Sequence, residues 1–176
     1  MLAYVFWHRP GSDEAPAAYE ARLIAFHAAL AEHPPDGFAG SAALRVQEAP
    51  WLPGAGPAYE DWYAVATWEA LGALNEAAVR GARAQPHDAV ATRAREGAGA
   101  VYRLLDGPME PAATWTSWLA KPAGADRDAF HAQLAGPGRS VWTRQMVLGP
   151  APEYAVRSGA PVVLPYEARA IAATPL

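Results

Sequence analysis

The chain contains no cysteine. That excludes a disulfide scaffold, a thiolate zinc site, an iron–sulfur cluster and a cysteine nucleophile. Positive charge is scarce: 14 Lys and Arg stand against 18 Asp and Glu, for a net charge of −4. With no basic stripe, sequence-independent binding to nucleic acid is not expected. No apolar run approaches the roughly 20 residues that span a bilayer, so no membrane association is expected. Met1 to Trp7 is apolar from the start and carries no basic leader; it reads as a strand rather than a signal peptide. The expectation is a soluble cytoplasmic protein. No serine sits in a nucleophile elbow, and Gly97-Ala98-Gly99 is too short for a phosphate-binding loop.

The 176 residues are 52% hydrophobic and 18% charged, enough to bury a sizeable core. Alanine makes up about a quarter of the chain, well above ordinary usage, and Lys121 is the only lysine. Both biases match a GC-rich coding preference and carry no functional weight.

Strand formers run from Met1 to His8 and stop at Arg9-Pro10-Gly11-Ser12. A helix over 16–32 follows, with Tyr19, Leu23, Phe26 and Leu30 on one face. Phe38–Gln47 and Tyr59–Thr67 read as strands around a Pro/Gly-rich loop that carries Trp51. Thr67 caps a second helix with Trp68, Leu71 and Leu74 on one face. A short helical stretch runs from Pro86 to Gly97, and Ala98–Leu105 is a fourth strand. The order β-α-β-β-α-β predicts a split βαβ, or ferredoxin-like, unit over residues 1–108. Both faces of its strands are apolar, so the side away from the helices needs a cover.

Residues 109–176 echo that order in a degenerate form. Lys121-Pro122 echoes Arg9-Pro10, Phe130-His131-Ala132-Gln133-Leu134 echoes Tyr19 to Leu23, and Gly149-Pro150-Ala151 echoes Gly56-Pro57-Ala58. The matching order predicts an internal duplication whose second copy lacks a second helix. The expected fold class is therefore α+β: two ferredoxin-like repeats with antiparallel sheets, packed as one barrel-like unit. This pattern resembles the dimeric α+β barrel superfamily, over essentially the whole chain and through element order rather than a signature motif. The resemblance implies a homodimer or an intramolecular barrel. It also implies relatives such as cofactor-free antibiotic-biosynthesis monooxygenases, muconolactone isomerase-like proteins and haem proteins of the chlorite dismutase type. It supports fold more than function.

With the first and third strands taken as central and parallel, their C-terminal ends share one rim with both helix N-termini. His8, Arg9, Ser41, Thr67 and Trp68 would meet there, beside small residues that leave room for an anionic or carbonyl-bearing small molecule. In this reading His8 is a general base or hydrogen-bond donor, Arg9 holds a developing oxyanion, and Tyr63, next to Trp62 on the third strand, orients an aromatic ring. Glu60 and Asp61 are adjacent on a strand and point to opposite faces; a cross-strand ion pair with Arg45 is expected instead of a coupled carboxylate dyad. Trp51, flanked by prolines, is a lid or an interface anchor. No histidine pair has metal-ligand spacing, and no metal or cofactor is expected. His131 is the one candidate for an axial haem ligand, a remote alternative. The function expected is a cofactor-independent monooxygenase- or isomerase-like enzyme on a small aromatic or carbonyl compound. The alternative is a non-catalytic dimerisation module or ligand sensor.

Overall fold

A computed structural model describes residues 1–110 and 112–176. Its strands are β1 (Leu2–Pro10), β2 (Phe38–Val46), β3 (Ala58–Val65), β4 (Ala94–Asp106), β5 (Trp115–Leu119), β6 (Arg139–Leu148), β7 (Tyr154–Ser158) and β8 (Arg169–Pro175). Its α-helices are α1 (Pro16–Glu32), α2 (Trp68–Ala78), α3 (Ala84–Ala91) and α4 (Arg127–Leu134), with a 3-10 turn at Gly81–Arg83. Among the described residues no helix is long and apolar enough to cross a membrane.

The two-repeat ferredoxin-like expectation is corrected by the sheet. All eight strands form a single closed antiparallel barrel in the order β1-β3-β2-β8-β5-β7-β6-β4. Residues 1–108 supply β1 to β4 and residues 109–176 supply β5 to β8. No repeat forms a sheet of its own, and the proposed internal duplication falls with it. The physical reason lies in the strand edges. β4 uses its free edge to pair with β6, and β2 pairs with β8 through Leu44↔Pro175 to Val46↔Ala173. Strands that would be open edges thus find partners. A closed wall covers its own inner face, which explains the doubly apolar strands.

The elements follow from local chemistry. In β1, Ala3, Val5 and Trp7 face the barrel interior, while Leu2, Tyr4, Phe6 and His8 face outward. Interior packing is dominated by Trp7, Trp62, Tyr102, Trp118 and Trp142, interleaved with Ala3, Ala100 and Ala155. Large rings alternating with alanine fill a small barrel. On α1, Pro16 sits in the first turn, and Tyr19, Leu23, Phe26 and Leu30 are buried against the sheet. Thr67 caps α2 by accepting from the Ala70 N–H at 3.2 Å, and Asp126 caps α4 through the Ala129 N–H at 2.9 Å. α1 to α3 cover the outer face of β1–β4, and α4 covers β5–β7. Gly107 ends β4 at φ +83°, where a Cβ would lie 2.1 Å from the Arg139 carbonyl oxygen, so only glycine passes there.

One boundary differs from the sequence expectation. Residues 92–97 are not helical: α3 stops at Ala91, and β4 begins at Ala94, opposite Pro10. Pairing with Arg9 and Pro10 overrides the helical propensity of that segment. Between Trp7↔Ala98 and Arg9↔Arg95, β4 carries one residue more than β1. This is a bulge at Glu96–Gly97, opposite His8, with Glu96 at φ +48°.

Candidate functional site

Outside the barrel wall, β1 presents Tyr4, Phe6 and His8, and β3 presents Asp61 and Tyr63. Helices α1 to α3 roof this surface and leave a cavity of about 680 Å³. The five side chains form its sheet side. Its roof is apolar: Phe26 from α1, Leu71 and Leu74 from α2, and Val90 from α3. Met146 and Leu148 of β6 add to the wall, and both are substantially exposed. The remaining polar lining comes from Asn75, His87, Arg95 and Glu96. Concave, mostly apolar space with a few convergent polar groups is the usual form of a small-molecule site.

The polar groups centre on the Asp61 carboxylate, which is 2% exposed. Its Oδ2 lies 3.1 Å from His8 Nε2 and accepts from the Tyr63 hydroxyl at 3.1 Å. His8 Nδ1 lies 2.7 Å from the Tyr19 hydroxyl. A second imidazole approaches the other carboxylate oxygen: His27 Nε2 of α1 stands 3.6 Å from Asp61 Oδ1. His27 Nδ1 is 2.8 Å from Ser41 Oγ. His27 Nε2 and Asp61 Oδ1 are both buried and make no hydrogen bond. His8 thus bridges Asp61 and Tyr19, with Nε2 donating to the carboxylate and Nδ1 bonded to the phenol. The rings also form a row of stacked faces, with Phe6 on His8 at 5.1 Å and His27 on Tyr63 at 5.1 Å between centroids.

Burial pushes the Asp61 carboxyl up, but the charge of His8, its hydrogen bond and the nearby His27 outweigh it and hold the group well below the usual carboxylate range. Burial, and then the charge of Asp61, pushes the phenols of Tyr4, Tyr19 and Tyr63 up. Tyr63 and Tyr19 spend their hydroxyls on Asp61 and His8. The Tyr4 hydroxyl has no hydrogen-bond partner among the described residues and is not sealed from solvent. It is the floor group most available to a ligand. No three His, Asp or Glu side chains among the described residues are arranged to hold a metal ion.

The expected rim does not form. β1 and β3 run antiparallel, with His8 opposite Tyr59 and Leu2 opposite Val65. The His8 end of β1 therefore lies far from Thr67 and Trp68, which follow the opposite end of β3. Thr67 caps α2, and Trp68 is 41% exposed. Arg9 lies on the other face of β1 and clamps the β2–β3 loop, donating to the carbonyls of Pro53 at 3.2 Å and Gly56 at 2.5 Å. Trp51 closes the barrel end, edge-on to Trp7 and Trp118 at 5.2 and 5.4 Å. Trp62 lies inside the barrel and donates to Glu60 Oε1 at 2.5 Å. His8 and Tyr63 do come together, through Asp61, and Ser41 joins through His27. His131 lies apart on α4, 3.2 Å from the Tyr154 hydroxyl.

Arg45 also departs from expectation. It sits opposite Tyr59 and grips Glu20 of α1 with two bonds of 2.7 Å. Asp61 is left to the histidines. Glu60 faces inward, as its neighbour faces outward. It accepts from Trp7 Nε1 at 2.8 Å, and Arg157, stacked 3.8 Å over the Trp62 ring, balances its charge. Sequence reasoning passed over Tyr4, Tyr19 and His27. The available signal was spacing: Tyr19 and His27 lie eight residues apart on α1, about two turns, close to the face marked by Leu23 and Phe26.

No family model matches the chain, and no curated protein does. Among solved structures it is similar to a protein described as anthrone oxidase-like, with 11% identity and a TM-score of 0.52. The match covers 90% of this chain and 73% of that one. At this identity the likeness speaks to the fold.

Proposed function

We propose that the cavity over β1 and β3 binds a small, planar, largely apolar molecule carrying a carbonyl or phenolic oxygen, and that the protein moves a proton on it. The observation that carries this reading is the buried Asp61–His8 pair, with Tyr4 and Tyr63, at the floor of an otherwise apolar cavity of about 680 Å³. Tyr4 donates to the ligand oxygen. The proton from the activated carbon goes to His8 Nδ1, once the Tyr19 hydroxyl gives up its bond there, and the Asp61 carboxylate on Nε2 balances the imidazolium that forms. Monooxygenase-like and isomerase-like chemistry without a cofactor share this first step and differ in the fate of the carbanion. The neighbour's description as anthrone oxidase-like supports the choice of a tricyclic ketone as probe.

The test is titration with anthrone, followed by NMR and by deuterium exchange at its acidic methylene. Binding should shift the signals of Leu74 and Met146. Tyr4→Phe should weaken it about tenfold, the worth of one hydrogen bond. Asp61→Asn should slow the exchange at least 100-fold, the usual share of a general base. No shift at the cavity residues overturns the reading. A second reading, a non-catalytic ligand sensor, draws on one observation: both ring nitrogens of His8 are already engaged and its side chain is 1% exposed. Binding without exchange selects it.

A further inference from the structure

We propose that Gly99 is a specificity-determining residue that acts through Tyr4. Carrying no side chain, it lets the Tyr4 hydroxyl sink beside the sheet, so that the cavity selects ligands whose oxygen projects from a ring edge, as a ketone or a phenol, over those whose oxygen is built into the ring. This selection rests on the proposed function of the cavity and narrows its ligand class.

Gly99 of β4 sits opposite Phe6, and Tyr4 sits opposite Val101. Residues directly opposite in an antiparallel pair share a face, so all four lie on the cavity side of the wall. The Tyr4 ring leans along the sheet to position 99. A Cβ there would lie 2.9 Å from its Cε2, 2.9 Å from its hydroxyl oxygen and 3.2 Å from its Cζ. Non-bonded carbons settle about 3.5–4.0 Å apart, so the outer edge of the ring fills the space that any side chain at 99 would need. A Cβ stands one bond above its own backbone. A hydroxyl that close to it lies low against β4.

The ring has no sideways escape. Tyr63 of β3 flanks it at 6.0 Å and Phe6 at 6.2 Å between centroids, each within 20° of parallel. Phe6 is itself held over Gly97, where a Cβ would lie 2.7 Å from its Cζ, and against His8 at 5.1 Å. A side chain at 99 would therefore lift the phenol toward the roof formed by Leu71, Leu74 and Val90.

The low position decides which oxygen can be bound. Burial pushes the Tyr4 phenol up and keeps its proton in place, so it offers a donor. An O–H···O bond brings the two oxygens to about 2.7–2.8 Å. A ketone or phenol oxygen stands out from the ring edge and reaches a donor sunk between rings. An ether oxygen within a ring is held back by the two carbons it joins.

The test compares two tricyclic probes that share a methylene, anthrone with its ketone and xanthene with its ring oxygen, by NMR titration. The wild type should prefer anthrone about tenfold, the worth of one hydrogen bond, and Tyr4→Phe should bring the probes level. Position 99 has ordinary strand backbone, so Gly99→Ala strains only the ring contact. It should lower the preference by about threefold or more, part of that same bond. Added to Tyr4→Phe it should change the preference no further, because the hydroxyl through which it acts is gone. Gly97→Ala, which meets Phe6 instead, should weaken both probes alike and keep the preference. Mere loss of space in Gly99→Ala would do the same, so the preference separates aim from volume. An undiminished preference in Gly99→Ala, or none in the wild type, would overturn the inference. The expected preferences without deuterium exchange would defeat the proton transfer alone. Exchange intact with a preference blind to position 99 would defeat the role of Gly99 alone.

Discussion

Replacing Asp61 by asparagine keeps the shape of the site and removes its charge. In the wild type the carboxylate receives a bond from His8 and another from Tyr63, each at 3.1 Å. Hydrogen bonds to a buried charge contribute roughly 1.5–3 kcal/mol, against about 1 for neutral ones. The loss for two bonds is therefore about 2 kcal/mol at pH 7, or roughly 4–8 °C in Tm for a chain of this size. The sign with pH follows from the depressed acidity of Asp61. A carboxylate held below its unfolded value stabilises the native state above about pH 4, the ordinary range for aspartate. As pH falls from there the unfolded chain takes up the proton first, and the contribution shrinks by about 1.4 kcal/mol per unit. The asparagine variant has no such dependence at this site. Its deficit should thus be full at pH 7 and largely gone near pH 2.5. Urea unfolding followed by the fluorescence of the barrel tryptophans measures both ends. A deficit equal at pH 3 and pH 7, or none at pH 7, would refute the assignment of Asp61 as the ionised hub.

Gly97→Ala places a Cβ 2.7 and 2.8 Å from two atoms of the Phe6 ring. The ring must turn toward the cavity, which should cost about 1–2 kcal/mol and weaken binding of an apolar fluorescent probe; unchanged probe affinity would count against the cavity as drawn. Arg157→Met leaves the Glu60 carboxylate inside the barrel without its counter-charge and should cost roughly 3–5 kcal/mol at pH 7. Burial already raises the Glu60 pKa and lowers that of Arg157 to about 10. A carboxyl raised in the folded state gains native stability as pH falls through its folded value. The variant should therefore recover part of its loss in acid thermal melts, and Glu60→Gln added to it should recover part at pH 7.

Much of the local structure was legible. The apolar spacing of α1, the Thr67 cap and the strand segments stand close to where the sequence places them, because each depends on neighbours within a few residues. Strand order does not. Whether β4 pairs onward to β6, or β2 to β8, is decided by partners 35 or more positions away, and the same alternation suits an open sheet or a closed one. The site shows the same division. His8 and Tyr63 could be picked from their strands, and the opposite facing of Glu60 and Asp61 follows from a period of two. The partner of Asp61 could not be picked, because Arg45 was nearer in the pattern and Glu20, on a helix, captured it instead. The antiparallel run of β1 and β3 separates His8 from Thr67 and brings it instead to Asp61.

The seam between β2 and β8 has a kinetic consequence. It joins Leu44–Val46 to Ala173–Pro175 through three residue pairs, across the longest sequence separation of any strand pairing in the barrel. Loop-closure entropy rises with the logarithm of that separation, and distant pairings slow folding. The wall from β1 to β4 can assemble around α1 while the seam is still open. Until β8 docks, β2 and β5 present unpaired edges able to join another chain. Closure of the seam is thus the step at which folding and self-association compete, and refolding yield should fall as protein concentration rises.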